Sequence, residues 1–418
     1  MTLIPRRIRW ARCRPTGFAL RTGVAAIALV ALQSAATGAQ GLRYGAEIGV
    51  ESRLFPRRPQ FAGQTASTLS PSLILAPEFS YESNSGRWQL IGDAFLRLDR
   101  HDDNRTHIDV RELGLQFTGM RVTAFFGLGK VFWGVTEARH LVDIVNQTDA
   151  VEDLDGEEKL GQPMVSLTFE GGWGVLDVFY LPYFRELTAA AKDARLSGPF
   201  PVSSGAQYES DRRRWHPDFA ARWSRPFEAL DIGISAFRGT SREARFTAGT
   251  DVGGNVVLTP HYDIVEQLGL DLQWTGESTL LKFEGISRRG HGELLTAITA
   301  GIEHTIYQPF SSNSDVGLLA ELMIDSRDKS APPTLFDNDL FLGTRWALND
   351  VSDTSVLGGP VVDLATGEVM ILIEAQRRLG VDWRVNVEIR MFANTDPGSI
   401  AYGLRRDGYA SLSIKRFL

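Results

Sequence analysis

The sequence predicts an all-β protein, a transmembrane antiparallel β-barrel of about 18 strands, with 16 as the alternative count. Three observations predict it. Stretches of about ten residues alternate apolar and polar side chains from Leu42 to the end of the 418-residue chain. The links between these stretches alternate long and short. Beyond the N-terminal segment, no apolar run approaches the roughly 20 residues that a membrane helix needs. Side chains on a strand point to opposite faces with a period of two. One apolar face repeated on many such strands is the signature of a barrel that meets lipid on its outside. A soluble multi-strand sandwich with an aromatic core is the competing architecture.

The first element is a targeting segment. Arg6, Arg7, Arg9, Arg12, Arg14 and Arg21 precede an apolar run from Gly23 to Leu32 and a run of small residues from Ser34 to Ala39. That order is the build of a cleaved secretory signal, so residues 1–39 are expected to leave near Ala39. The alternative, an N-terminal membrane anchor, would need a longer apolar run. Cys13 falls inside the segment, so residues 40–418, read as a single barrel domain, hold no cysteine. Taking the six arginines from 44 Lys and Arg, against 51 Asp and Glu, leaves a mature net charge of −13. An acidic exported chain lacks the basic surface that nucleic acid requires, so no nucleic-acid partner is expected.

Strands are expected near residues 42–53, 69–82, 87–100, 106–118, 121–132, 162–171, 174–183, 216–225 and 228–240. The second half places them near 260–275, 278–289, 293–306, 314–325, 338–348, 353–363, 368–379, 382–393 and 408–417. The clearest is the seventeenth: Trp383, Val385, Val387, Ile389 and Met391 alternate with Arg384, Asn386, Glu388 and Arg390. Val110-Arg-Glu-Leu113 breaks the alternation and reads as a bulge or a strand end. Links at 83–86, 119–120, 172–173, 276–277 and 380–381 are short; those at 54–68, 133–161, 184–215, 241–259, 326–337 and 394–407 are long. Short periplasmic turns and long external loops alternate in this way in outer-membrane barrels. The links 307–313 and 290–292 fit less well, one long for a turn and one short for an external loop. Aromatic residues gather near strand ends, where a bilayer interface favours them.

Two segments resemble known proteins. The final strand, Ser411-Leu-Ser-Ile-Lys-Arg-Phe-Leu418, is similar to the closing strand of outer-membrane proteins, although Leu418 takes the terminal place and Phe417 the penultimate one. The more specific resemblance lies in Gly129-Lys-Val-Phe-Trp133-Gly134 followed by Asp143-Ile-Val-Asn146-Gln-Thr-Asp149. This resembles porin-like outer-membrane barrels of Gram-negative bacteria, most closely over residues 107–185. The resemblance implies a barrel in the bacterial outer membrane, surrounded by its lipid and inserted by the barrel-assembly machinery. It also implies a third external loop folded into the lumen, and supplies no substrate. A homotrimer is one assembly such a barrel can form.

Within that loop, Val135, Ala138, Leu141, Val142 and Val145 have roughly helical spacing, which predicts a short amphipathic helix on the inner wall. Asp143, Asn146 and Asp149 recur every three residues, either as capping groups for local amides or as ligand contacts at a constriction. Six acids follow between Asp149 and Glu158, including Asp153 and Asp155. Asp153-x-Asp155-Gly156-Glu157 resembles a calcium loop but lacks the distal glutamate, so a solvated acidic loop is expected, with no metal and no cofactor. Arg97, Arg345, Arg384, Glu388 and Arg390 face the lumen by parity with their apolar neighbours. Acids on the loop opposite arginines on the wall would set a transverse field across the pore.

G-x-S-x-G, H-E-x-x-H and phosphate-loop motifs are all missing, so the expected function is not enzymatic. His140 beside Glu137 and Asp143 is the one cluster that a lipid or peptide hydrolase would use. The expected function is passive diffusion of small solutes through a lumen narrowed by residues 133–161. A binding or structural barrel whose loops seal the lumen is the alternative.

Overall fold

The computed structural model describes residues 41–251 and 253–418; the expected signal segment, with Cys13, lies outside the described residues. Strands β1 (Leu42–Leu54), β2 (Leu69–Glu82), β3 (Trp88–Asp99), β4 (His107–Thr118), β5 (Val122–Gly129), β6 (Gln162–Gly171) and β7 (Gly174–Leu181) follow one another. The short β8 (Gln207–Tyr208) stands apart, and β9 (Asp218–Phe227) and β10 (Leu230–Thr240) resume the series. A separate three-stranded sheet joins β8 to β11 (Arg245–Thr250) and β12 (Val256–Tyr262). The series continues with β13 (Ile264–Thr275), β14 (Thr279–Arg289), β15 (Leu295–Ile306), β16 (Asp315–Asp325) and β17 (Asn338–Ala347). It ends with β18 (Ser355–Asp363), β19 (Val369–Leu379), β20 (Trp383–Ala393) and β21 (Tyr409–Phe417).

Eighteen of these strands form one antiparallel sheet, and β1 pairs with both β2 and β21, so the sheet closes on itself. That count removes the 16-strand alternative. The expected break at Val110–Leu113 is a bulge: Asp93 pairs with Glu112 and Ala94 with Val110, leaving Arg111 extra and turned inward. Two boundaries differ by more than two residues. β5 stops at Gly129 because the chain then leaves the wall, and β13 starts at Ile264 because residues 256–262 pair with β11 instead.

Burial is inverted relative to a water-soluble fold. Outward Ile108 and Leu268 are 72% and 65% exposed, whereas inward Glu284 and Glu321 are 0% and 2% exposed. A soluble sandwich would bury the former and expose the latter. Tyr44, Tyr81, Trp88, Trp173, Phe227, Trp274, Trp346, Trp383 and Phe417 are exposed along the rim of short turns. No helix among the described residues is long and apolar enough to cross a membrane. The expected helix in the third long link is absent: residues 130–161 are irregular, and a short α1 (Ile400–Leu404) lies instead in the last long link.

Candidate pore constriction

Residues 130–161 leave the wall after β5, cross the barrel interior and return at β6. Asn146 ties the neck of this excursion. Its Oδ1 accepts from the Val131 amide at 2.8 Å, and its Nδ2 donates to the carbonyls of Gly129 and Leu160, both at 2.9 Å. Asp143 pairs with Lys159 at 3.0 Å, and Asp149 accepts from Arg111 at 3.1 Å and from Thr188 at 2.8 Å. All three are buried. These bonds are structural ties between distant parts of the chain, with partners 10 to 39 residues away, and none caps an adjacent amide.

The segment is not helical because its amides have other partners. The Glu284 carboxylate on β14 accepts from the amides of Val135 (2.7 Å), Thr136 (3.0 Å) and Val142 (3.2 Å), and from the Thr136 hydroxyl. Glu321 on β16 accepts from the amides of Glu137 and Ala138, each at 2.8 Å. Buried amides need a partner but not a helical one. The apolar side chains also fail to make a stripe. Leu141, Val142, Ile144 and Val145 are all buried, against Phe237, Val265, Ile286 and Ala297 of the wall and their neighbours. Full burial of each such side chain is worth about 1.5–3 kcal/mol.

Charges hold the rest of the segment. Glu152 lies 2.6 Å from Arg97 and 2.8 Å from His107, and its carbonyl accepts from Arg53. Glu137 lies 2.6 Å from Arg345, and Asp155 lies 2.7 Å from Arg390. The expectation of separated charges facing each other across the pore is therefore corrected: loop acids and wall arginines are in direct contact. Arg384 faces inward as expected but sits elsewhere, stacked over Phe417 at the short-turn rim, 5.4 Å from the ring centroid. Glu388 bonds the Tyr409 hydroxyl at 2.7 Å. Arginines of the next long link are also spent on pairs, Arg185 with Asp109, Arg214 with Glu186, and Arg195 with Asp407.

Protonation follows from these surroundings. Burial would raise the Glu152 carboxyl, but His107, Arg97 and Arg105 outweigh it and hold it down at about 2. Burial would lower His140, but Glu157 and Glu284, at 3.8 and 3.9 Å, raise it to about 10. Asp155 is raised by burial and by Asp153, against the pull of Arg390.

Beside the segment lies a cavity of about 510 Å³. The excursion bounds one side; inward residues of β1, β3 and β17–β21 bound the other. Nine acids line it, Glu51, Glu137, Glu152, Asp153, Asp155, Glu157, Glu158, Glu374 and Glu388, against five bases, Arg53, Arg97, Arg345, Arg390 and Lys415. Counted as ionised, they leave four negative charges in excess. Arg97, Arg345, Glu388, Arg390, Asp153 and Asp155 are thus brought together as expected, while Asp143, Asn146, Asp149 and Arg384 are not lining residues. Sequence reasoning missed Glu51, Arg53, Glu284 and Glu321. Strand parity was available for each, since all alternate with outward apolar residues.

No family model and no curated protein sequence matches this chain. Solved structures do match its fold. Wzi of Escherichia coli is described as an outer-membrane protein involved in group 1 capsule assembly and a carbohydrate-binding β-barrel. It superposes with a TM-score of 0.53 at 10% identity, over 97% of this chain and 89% of that one. OpdQ of Pseudomonas aeruginosa gives 0.51 at 10% identity, over 91% and 99%. This chain therefore has the fold of outer-membrane β-barrels.

Proposed function

We propose that the chain is a porin-type channel of the bacterial outer membrane, passing small solutes by diffusion and favouring cations. The single observation that carries this reading is the charged cavity between the folded-in segment and the wall of a closed 18-stranded barrel. Barrels of 16–18 strands leave room for an aqueous path, and a ring of one charge sign selects the opposite ion. Secretion through the N-terminal segment, insertion by the barrel-assembly machinery, surrounding outer-membrane lipid and membership of the porin-like group belong to the same reading, with the long-link rim facing outward. The test is planar-bilayer recording of the purified, folded barrel. Discrete current steps and a reversal potential towards the cation equilibrium are expected. A folded protein that never conducts overturns the reading.

A second reading has its own observation. Gln64, Arg195 and Asp407 from three long links meet in a buried cluster, with Arg195 to Asp407 at 2.7 Å. Links knitted in this way suit a sealed binding or structural barrel, and the likeness to a carbohydrate-binding barrel accords with it. Deleting residues 136–158 separates the two: existing current rises in a channel, and current first appears in a sealed barrel. For the hydrolase alternative, Glu137, His140 and Asp143 each face a different partner, Arg345, Glu157 and Lys159.

A further inference from the structure

The outward face of β9, β10, β13 and β14 is not uniform. Ala221, Ala236, Leu268 and Ser287 are register neighbours across these four strands. Below them, towards the short turns, Trp223, Ile234 and Leu270 form a row of large apolar residues. Above them, at the long-link rim, Phe219, Arg238, Glu266 and Arg289 form the next row. Beneath the rim row, the small side chains of Ala221, Ala236 and Ser287 leave a trough of about 620 Å³, in which Leu268 is largely exposed.

The upper edge carries charge. Arg238 lies 3.5 Å from Glu266, and both are exposed. Arg289 has no ion-pair partner among the described residues and pairs in register with Glu266. Two guanidinium groups thus flank one carboxylate, leaving a net positive edge over an apolar floor. A guanidinium recognises phosphate through paired, charge-assisted hydrogen bonds. The apolar outward face of a second copy of this chain would instead desolvate Arg289 without pairing it, which is unfavourable.

We propose that the trough binds an acyl chain of a membrane lipid whose phosphate headgroup is net negative, with Arg289 and Arg238 holding the phosphate. The proposal rests on the outer-membrane reading above. It places a specific lipid at the long-link rim, on the side of the wall away from the cavity.

The test is native mass spectrometry of the detergent-purified barrel with phosphatidic acid, phosphatidylcholine or inorganic phosphate. Phosphatidic acid should be retained about tenfold better than phosphatidylcholine, the worth of one charge-assisted hydrogen bond. The double variant R238E/R289E should lose that preference, and A236F, which fills the trough, should lower retention of both lipids. Inorganic phosphate should not displace the lipid. Unchanged retention in both variants overturns the proposal, as does displacement by inorganic phosphate. A wild-type dimer that A236F dissociates also overturns it, by showing a second copy in the trough. Single-channel current of the same variants should equal that of the parent. A parent that never conducts but holds the lipid refutes the channel reading and leaves this one standing.

Discussion

Asp155 at the tip of the folded-in segment and Arg390 on β20 stand 2.7 Å apart across 235 residues of sequence. The same segment is held by Glu284 and Glu321 on β14 and β16, and by Arg97 on β3. It is therefore anchored to widely separated parts of the ring, and each anchor can be removed singly.

Arg390 is the more sensitive half of its pair. It is 3% exposed and also meets Glu388 and Glu374, whereas Asp155 is 20% exposed. Arg390→Gln strands several carboxylates and should cost about 3–5 kcal/mol, the range for breaking a buried pair. Asp155→Asn should cost much less, since it also removes repulsion from Asp153. Thermal unfolding in detergent measures both, and equal losses would contradict this arrangement.

Glu284→Ala removes the acceptor of three loop amides, each loss worth about 1–3 kcal/mol. The segment should detach from the wall, so single-channel conductance should rise and its noise increase. Glu284→Gln keeps one acceptor oxygen and should lie between parent and Ala variant.

The pH response has a definite sign. His140 is raised to about 10, so its contribution to docking is complete below its ordinary value of 6.5 and is lost as pH rises through 10. Glu152 is lowered to about 2, so its contribution is complete above its ordinary value of 4.5 and is lost as pH falls towards 2. These two groups should hold the segment most firmly between pH 4.5 and 6.5. Accessibility of the segment to protease, followed against pH, should rise at both extremes. Raised Asp155 runs the other way: its protonation favours the folded state, and acidification removes one negative charge from the cavity, lowering cation preference.

Selectivity should follow the cavity's charge excess. Replacing Asp153 and Glu388 by Asn and Gln should move the reversal potential in a salt gradient towards zero. Arg345→Gln, which removes a base from the same cavity, should move it further towards the cation limit. Identical potentials in all three proteins would remove the cavity from the permeation path.

Much of the ring was legible because one alternating strand pattern repeats 18 times and its register needs only local information. Even the bulge at Arg111 showed as a break in alternation. The interior segment was less legible. Val135, Leu141 and Val145 carry helical spacing, yet their neighbours' amides bond carboxylates 142 to 184 residues away. A single sequence does not display such partners. Arg384 shows a second limit: parity correctly turned it inward but does not specify its height along the strand. Its position near the short-turn rim keeps it from the cavity.

The cluster of Gln64, Arg195 and Asp407 bears on the order of assembly. Asp407 immediately precedes the glycine that leads into β21, the strand that closes the ring against β1. The stitch across the long links therefore depends on the last part of the chain to arrive, and it couples lid formation to ring closure. A chain ending before Asp407 should leave Arg195 without its carboxylate and residues 182–217 open to protease, while the full chain protects them. Residues 407–417 thus join the mouth of the barrel and the closure of its wall in one short stretch of chain.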